Sequence, residues 1–394
     1  GTAEENTVTI SGGQAGQASA GYGTESASNN TILMTGGTAD TIAGGESASG
    51  DASENTASIT SGTTARIVGG MNSTRGGSGS VTNNTVNISG GTVTTAAIAG
   101  TAASGDASGN TLNINGGTVG TETEDGENFI AGGISTTGAA TDNTVNVYSG
   151  ILGMMMSLYG GYSTTASSGN TLNMYTKANT VKNLDYFQTL NFYVPIGTTV
   201  GETMLTVTDT ADVSNAAVYG GVDKTTKMET GQAINLIKNA SGVTTNNTTY
   251  GTITGMDRVT NGGFVSRIVS VLKHDPNTIV LTLTDENKPF IEPDTKILPE
   301  DRENAINSLK NAADLISNDA FRAAEAAWIE EHTVEAKFVP YAVIGGFDLH
   351  YNTGSYIDSS GLAANVGFVR RIGHEGHIDT VMPFMEYGKS NYAN

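Results

Sequence analysis

The chain has 394 residues, 52 glycines, no cysteine, and 19 basic against 39 acidic side chains, for a formal charge of −20. The lack of cysteine excludes disulfides and thiolate chemistry. Only Arg66 and Arg75 precede Lys177, so the first half has no basic footprint to neutralise phosphates, and a nucleic-acid partner is excluded.

Residues 1–175 repeat one short phrase: Asn-Thr, an alternating apolar and polar stretch, then Gly-Gly or Ser-Gly. It begins at Asn6-Thr7 and returns at Asn30, Asn55, Asn84, Asn110, Asn143 and Asn170, in steps of 24, 25, 29, 26, 33 and 27 residues. A second phrase lies between these anchors, at Ala43-Gly44-Gly45, Val68-Gly69-Gly70, Ala131-Gly132-Gly133 and Tyr159-Gly160-Gly161. A period of this size with short period-two stretches predicts a stacked solenoid rather than a globular core. In Thr111–Asn115, Leu112 and Ile114 fall on one face and Thr111, Asn113 and Asn115 on the other. Leu112 and Ile114 are expected to stack between Val86 and Ile88 on one side and Val145 and Val147 on the other. The anchor asparagines are expected to form a side-chain ladder. The longest step leaves room for an acidic loop with Glu122, Glu124, Asp125 and Glu127.

Beyond residue 175 longer apolar and aromatic residues appear, such as Phe187, Leu190, Phe192 and Tyr193. A solenoid must cover its last apolar face and open edge, so 176–297 reads as a cap. Residues 298–335 carry a helical pattern. Pro299 starts it, Glu300 and Asp301 favour the positive end of its dipole, and Ser317-Asn318-Asp319 marks an expected break. Residues 336–394 return to period two. Val339, Tyr341, Val343, Phe347 and Leu349 line one face, while Ala342, Gly346 and Asp348 lie on the other. Long strands with one apolar face match transmembrane β-strands. No run of about 18 apolar residues predicts a transmembrane helix.

The order of solenoid, cap, helix and amphipathic strands resembles the bacterial autotransporters of type V secretion. The residues that carry the barrel likeness are Pro340–Gly346, Tyr351–Asp358, Asn365-Val366-Gly367-Phe368 and Pro383–Gly388, and Val181–Leu184 with Phe187–Tyr193, and Gly231–Leu236, resemble the end of a passenger. The resemblance implies a passenger displayed at the cell surface by a 12-stranded outer-membrane β-barrel, with the helix threading the pore. On that reading Val339, Tyr341, Val343, Phe347 and Leu349 face lipid, and Ala342, Gly346 and Asp348 face the helix or lumen. About three barrel strands precede Asn394, the family's terminal aromatic is not present, and Gly1 falls within a repeat phrase. The sequence is therefore expected to be a piece of a longer protein at both ends.

The motifs that bear chemistry are few. Asp51 and Asp106 lie in near-identical phrases two rungs apart, where stacked acids could hold a cation or act as a pair. The plain alternative is a corner turn held by a carboxylate hydrogen bond. His374-Glu375-Gly376-His377 has a metal-like spacing but falls in an expected hairpin turn, and Met154-Met155-Met156 reads as core filling. No histidine lies in 1–273, so no Ser-His pair exists inside the array. The expectation is an all-β chain: a parallel β-helix passenger with a β cap, a linker helix and the first strands of a transmembrane barrel. Its expected role is that of a non-catalytic, adhesin-like surface protein without a cofactor. Its expected partners are a glycan or protein ligand on a host-cell surface and the outer-membrane lipid. A β-helix polysaccharide lyase or hydrolase and a structural spacer or filament stand as alternatives. A row of aromatics or carboxylates in a groove would favour glycan processing.

Overall fold

The structure is a computed structural model that describes residues 1–72, 78–120, 128–261, 265–286, 288–330, 337–352 and 356–393. The chain divides into two units, Gly1–Phe290 and Ile291–Asn394. The expected acidic loop falls at 121–127, outside the described residues.

The first unit is a parallel β-solenoid of about eight turns. Each repeat contributes a short strand, a four-residue strand and a long bent one, as in Ser26–Ser28, Thr31–Met34 and Thr38–Ser47. Equivalent strands pair in register. Leu112 stacks between Val86 and Val145, and Ile114 between Ile88 and Val147. All six are fully buried. Thr7, Thr31, Thr56, Thr85, Thr111, Thr144, Thr171 and Thr189 form one column on the outer face. The unequal repeat lengths leave this register untouched, because the anchor asparagines fix it.

Those asparagines form a continuous amide ladder. Nδ2 of Asn30, Asn55, Asn84, Asn110 and Asn143 donates to Oδ1 of the next anchor at 2.9, 3.0, 3.0, 3.0 and 3.1 Å. Each of those Oδ1 atoms also accepts the backbone N–H of the preceding anchor. The second amide hydrogen goes to a backbone carbonyl, as from Asn110 to Val81 at 3.0 Å. The ladder starts at Asn6 and ends on Gln188 Oε1. These side chains from Asn30 to Asn170 are fully buried, so every amide group must be paired, and each is. The residue before each anchor turns the chain through the left-handed region, with φ 56° at Glu54, Asn83 and Asp142. The second phrase of the repeat serves the same ladder. A Cβ at Gly45, Gly70, Gly100, Gly133 or Gly161 would lie under 3.0 Å from the side chain of Asn55, Asn84, Asn110, Asn143 or Asn170.

Parallel stacking continues past residue 175. Thr171–Met174 pairs with Thr189–Tyr193, which pairs with Ala217–Gly221, and that with Thr249–Thr252. On another wall Asn179–Val181, Thr203–Val207 and Ala233–Asn239 stack in parallel. Thr278–Thr282 then joins Ala233–Asn239 antiparallel and carries Ser270–Asp275 on its far side. Ile279, Val280, Leu281 and Leu283 are buried there. The reversal ends the coil and covers its apolar edge.

The second unit opens with a helix over Pro293–Asp314, six residues before the expected start at Pro299. At Leu315–Ala320 it widens into a π-helical turn and resumes as α-helix over Phe321–Glu330. The expected break at Ser317-Asn318-Asp319 is thus a bulge rather than an end. Ser317 Oγ donates to the Ala313 carbonyl at 2.8 Å, which competes with the helical ladder at that point. The central strand, Tyr356–His374, has Val339–Asn352 antiparallel on one edge. On its other edge lie His377–Val381 and then Phe384–Ala393.

The two faces of this sheet are the reverse of the expectation. Val339 and Tyr341 are buried against Ala320 and Ala324 of the helix, and Val343 is packed beside them. Gly345 lies under Leu315, with only 3.0 Å between its Cβ position and Leu315 Cδ1. Ala342, Gly346 and Asp348 are on the exposed side. The register decides this. The helix side brings Ser359, Gly361, Ala363, Asn365, Gly367 and Glu386 together with the odd residues, so it mixes small and polar residues with the buried Val339, Tyr341 and Val369. The exposed side gathers Ile344, Leu362, Val366, Phe368, Met385 and Tyr387.

Asn110→Ala would strand the Asn84 backbone N–H, take one acceptor from Asn84 Nδ2, and leave Asn143 Oδ1 with the Asn110 N–H alone inside the solenoid. At roughly 1–3 kcal/mol per orphaned buried group, a loss of about 3 kcal/mol is expected. Denaturant unfolding of the full chain would measure it. A change within 0.5 kcal/mol, the scale of an ordinary surface substitution, would show that the ladder does not hold the stack.

Candidate functional site

The long bent strands of the first unit build a groove on the outside of the solenoid. Ile42, Ile67, Ala97 and Ile130 belong to the main core. The residues that follow them, Ala43, Val68, Ile98 and Ala131, point the other way in a strand. They are nonetheless 0, 0, 3 and 0 % exposed. They form a floor, because the corner at each Gly-Gly pair bends the strand back and raises side chains on both sides of it. One wall is the column Gln17, Thr41, Arg66, Ala96, Phe129. The other is Tyr22, Glu46, Met71, Thr101, Ile134, Tyr162. A hollow of ≈ 320 Å³ lies between them, lined by Arg66, Thr95, Ala96, Ile98, Thr101, Phe129 and Ile134.

The groove changes character along its length. At one end Gln17 Nε2 donates to Glu46 Oε2 at 2.7 Å. Burial pulls the Arg66 guanidinium below its usual value, and the charge of Glu46 opposes this. Arg66 Nε is buried without a hydrogen-bond partner. At the other end the floor column runs on from Ala131 to Tyr159 and Asp185. Phe129 and Tyr159 lie 5.8 Å apart, Tyr159 and Tyr162 are stacked at 5.9 Å, and Tyr186 meets both edge-on at 5.2 and 5.3 Å. Burial pushes the Asp185 carboxyl up to about 6. The backbone N–H of Tyr186 partly offsets that, and the charge of Asp212 adds to it. Asp212 is on the next rung, since Leu184 pairs with Ala211.

A second aromatic row stands on the outer face of the neighbouring strands. Tyr148, Tyr175 and Tyr193 stack at 4.9 and 4.2 Å, and the Tyr175 hydroxyl is pushed up to about 12, chiefly by burial. Beside it Asn87, Asn113, Asn146, Asn173 and Asn191 join their side-chain amides from rung to rung.

Asp51 and Asp106 are elsewhere. Asp51 Oδ1 accepts the Ser80 N–H at 2.8 Å, and Asp106 Oδ1 accepts the Ala139 N–H at 2.8 Å. Each ties its corner to the following rung. The strand Val81–Thr82 lies between their two strands, which separates them by two strand spacings, about 9.6 Å. Met156 is buried in the core and Met154 is exposed. His374 and His377 face each other across the hairpin at Glu375-Gly376. The groove residues were not singled out in the sequence. The available signal was the position before Gly-Gly, held by Ala43, Val68 and Ala131 but by tyrosine at Tyr159.

No family model, curated protein or solved structure matches the chain. What the groove can do is therefore read from its own side chains. A row of rings offers broad apolar contact at small entropic cost, and Arg66, Asp185 and the tyrosine hydroxyls offer hydrogen bonds beside them.

Asp185 gives the groove a pH signature. Its folded carboxyl holds its proton more tightly than the unfolded one, so folding is favoured in acid. The advantage is lost as pH rises from about 4 to about 6. Asp185→Asn should stabilise the chain at pH 8 and make no difference at pH 4, as read from melting temperatures. Equal melting temperatures of the two proteins at pH 8 would show that Asp185 is not held in a costly environment.

Proposed function

We propose that this chain is a bacterial cell-surface autotransporter. Its solenoid is a non-catalytic, adhesin-like passenger, and Ile291–Asn394 contributes strands of an outer-membrane barrel. The observation that carries the non-catalytic reading is the flat outer face of stacked threonine and asparagine ladders, Thr7 to Thr189 and Asn87 to Asn191. The aromatic groove of Phe129, Tyr159, Tyr162 and Tyr186, with Arg66 at the far end, is where an extended ligand would lie and is also the row that favours the glycan-processing alternative. An extended surface ligand, glycan or protein, presents the alternation of apolar faces and polar edges that such a groove accepts. The in-register stack makes that surface rigid, so little order is lost on binding.

The membrane reading is supported by the inverted sheet of the second unit. The mixed face with Val339, Tyr341 and Asn365 is covered by a helix, while Phe338, Ile344, Leu362, Val366, Phe368, Met385 and Tyr387 stand 48, 70, 53, 49, 51, 74 and 68 % exposed. From Phe338 to Gly346 the apolar band runs about 27 Å along the strand, which at a barrel strand tilt of about 40° is about 21 Å of height, against the ~25 Å band of outer-membrane barrels. Beyond it Asp348 pairs with Ser360 and His350 with Asp358, which restores a polar surface. No helix among the described residues is long and apolar enough to cross a membrane, and barrels cross with strands.

A second reading is favoured by Asp185 and Asp212. Two carboxyls one rung apart, one of them raised by burial, are the pair that glycoside hydrolysis uses. Both are engaged locally, since Asp185 Oδ1 accepts the Tyr186 N–H and Asp212 Oδ1 the Ser214 N–H.

Tyr159→Ala and Tyr162→Ala should each weaken attachment to glycan arrays or host cells about ten-fold or more, the scale of an aromatic anchor. Asp51→Ala and Asp106→Ala should leave it unchanged. Release of reducing ends from a polysaccharide panel by the wild-type chain, lost in Asp185→Asn, would replace adhesion with catalysis.

The barrel reading has its own test. Ile344→Lys should lower the recovery of the protein in outer-membrane fractions, because a lysine facing mid-bilayer lipid costs about 2–4 kcal/mol. Recovery equal to wild type would place that face in water.

A further inference from the structure

We propose that the hairpin joining Tyr356–His374 to His377–Val381 is a binding site for one divalent transition-metal ion, held by His374, His377 and Asp379. The backbone sets up the donors. Glu375-Gly376 is a two-residue turn, with Gly376 at φ 92°, and it leaves His374 directly opposite His377. The two rings lie side by side, with centroids 4.9 Å apart and planes inclined by 18°. Asp379 is two residues beyond His377, hence on the same face of the strand. Its Oδ2 is 3.2 Å from His374 Nε2 and its Oδ1 is 3.9 Å from His377 Nε2. The three donor groups place their ligand atoms within 4.8 Å of one another.

A zinc ion at about 2.0–2.1 Å from each donor needs ligand atoms roughly 3.4 Å apart. The present spacing closes to that by small side-chain rotations. All three side chains are exposed, so no packing opposes the movement. The carboxylate now meets the His374 Nε2 and lies 3.9 Å from the His377 Nε2, and an ion placed between them draws all three donors into metal bonds. Each imidazole then binds through an unprotonated Nε2 and carries its proton on Nδ1.

The donor set selects the ion. Two imidazoles and one carboxylate suit Zn²⁺, Cu²⁺ or Ni²⁺, while Mg²⁺ and Ca²⁺ call for oxygen shells. Water fills the remaining positions, since the turn is open to solvent. A bound ion joins the two strands at the end of the hairpin, as a cross-link that needs no cysteine. It also gives a purpose to an arrangement that the hairpin does not need in order to turn, because Glu375-Gly376 alone supplies the bend.

The test is titration of the untagged full chain with Zn²⁺ against a chromophoric chelator, with Co²⁺ absorption as a second readout. One ion per chain is expected, not displaced by excess Mg²⁺ or Ca²⁺. His374→Ala and His377→Ala should each weaken it by at least about ten-fold, and Asp379→Asn should weaken it too. His274→Ala, on the solenoid unit, should leave it unchanged. Because the three positions are exposed, circular dichroism of the variants should match wild type. No saturable uptake by the wild-type chain, or equal affinity in His374→Ala and His377→Ala, would overturn the site.

Discussion

The solenoid depends on the stacking of one asparagine per turn. A buried primary amide has two donors and an oxygen with two lone pairs to satisfy. At Asn30, Asn55, Asn84, Asn110 and Asn143 the amide meets those demands only by reaching the turn below, the turn above and the backbone beside it. A slip of one residue would put a threonine or a residue in the left-handed bend at that place and leave the amides unpaired. Register is therefore set by hydrogen bonding at the corner, and the apolar columns follow from it. This explains how steps from 24 to 33 residues coexist with unbroken strand pairing. Extra residues leave the stack between anchors, and the anchors bring the chain back.

The same constraint shapes the outer surface. The glycines that make room for the ladder, such as Gly100 against Asn110, lie at the bend of the long strand. That bend folds the outer surface into a groove whose floor is buried without belonging to the core. The corner that holds the ladder thus also shapes the groove. The side chains flanking the bend differ from rung to rung, and along the groove they pass from Glu46 and Arg66 to Phe129, Tyr159 and Tyr186.

The second unit works on an opposite principle. In the solenoid apolar residues point inward and Thr, Asn and Ser outward. In the sheet from Val339 to Ala393 the covered side mixes glycine, alanine, serine, Asn365 and Glu386 with the buried Val339, Tyr341 and Val369, and Asn365 Nδ2 donates to Glu386 Oε2 at 3.2 Å. The helix lays its alanines on that side, and Arg371 pairs with Glu325 at 3.0 Å. Water does not favour the apolar outer side, and an exposed apolar face of this size is what supports the proposal that it meets lipid.

The solenoid, its register and the asparagine ladder were legible in the sequence. Repetition at Asn30, Asn55, Asn84 and Asn110 makes each turn evidence for the next, and period-two alternation is a local property of the chain. The helix was legible for the same reason, apart from its start at Pro293 and the π turn at Leu315–Ala320. The groove was not legible, because its walls come from residues some thirty positions apart whose shared column appears only when turns are stacked. The faces of the second unit were misread for a related reason. Val339, Tyr341 and Val343 look like the lipid side of a single strand, but which side is the more apolar is a sum over three strands. Only the pairing of Val366 and Met385 beside Ala342, and of Asn365 and Glu386 beside Val343, decides it. The cluster at His374, His377 and Asp379 lies between these cases. The sequence gives the spacing, and only the hairpin register turns that spacing into donors on one face.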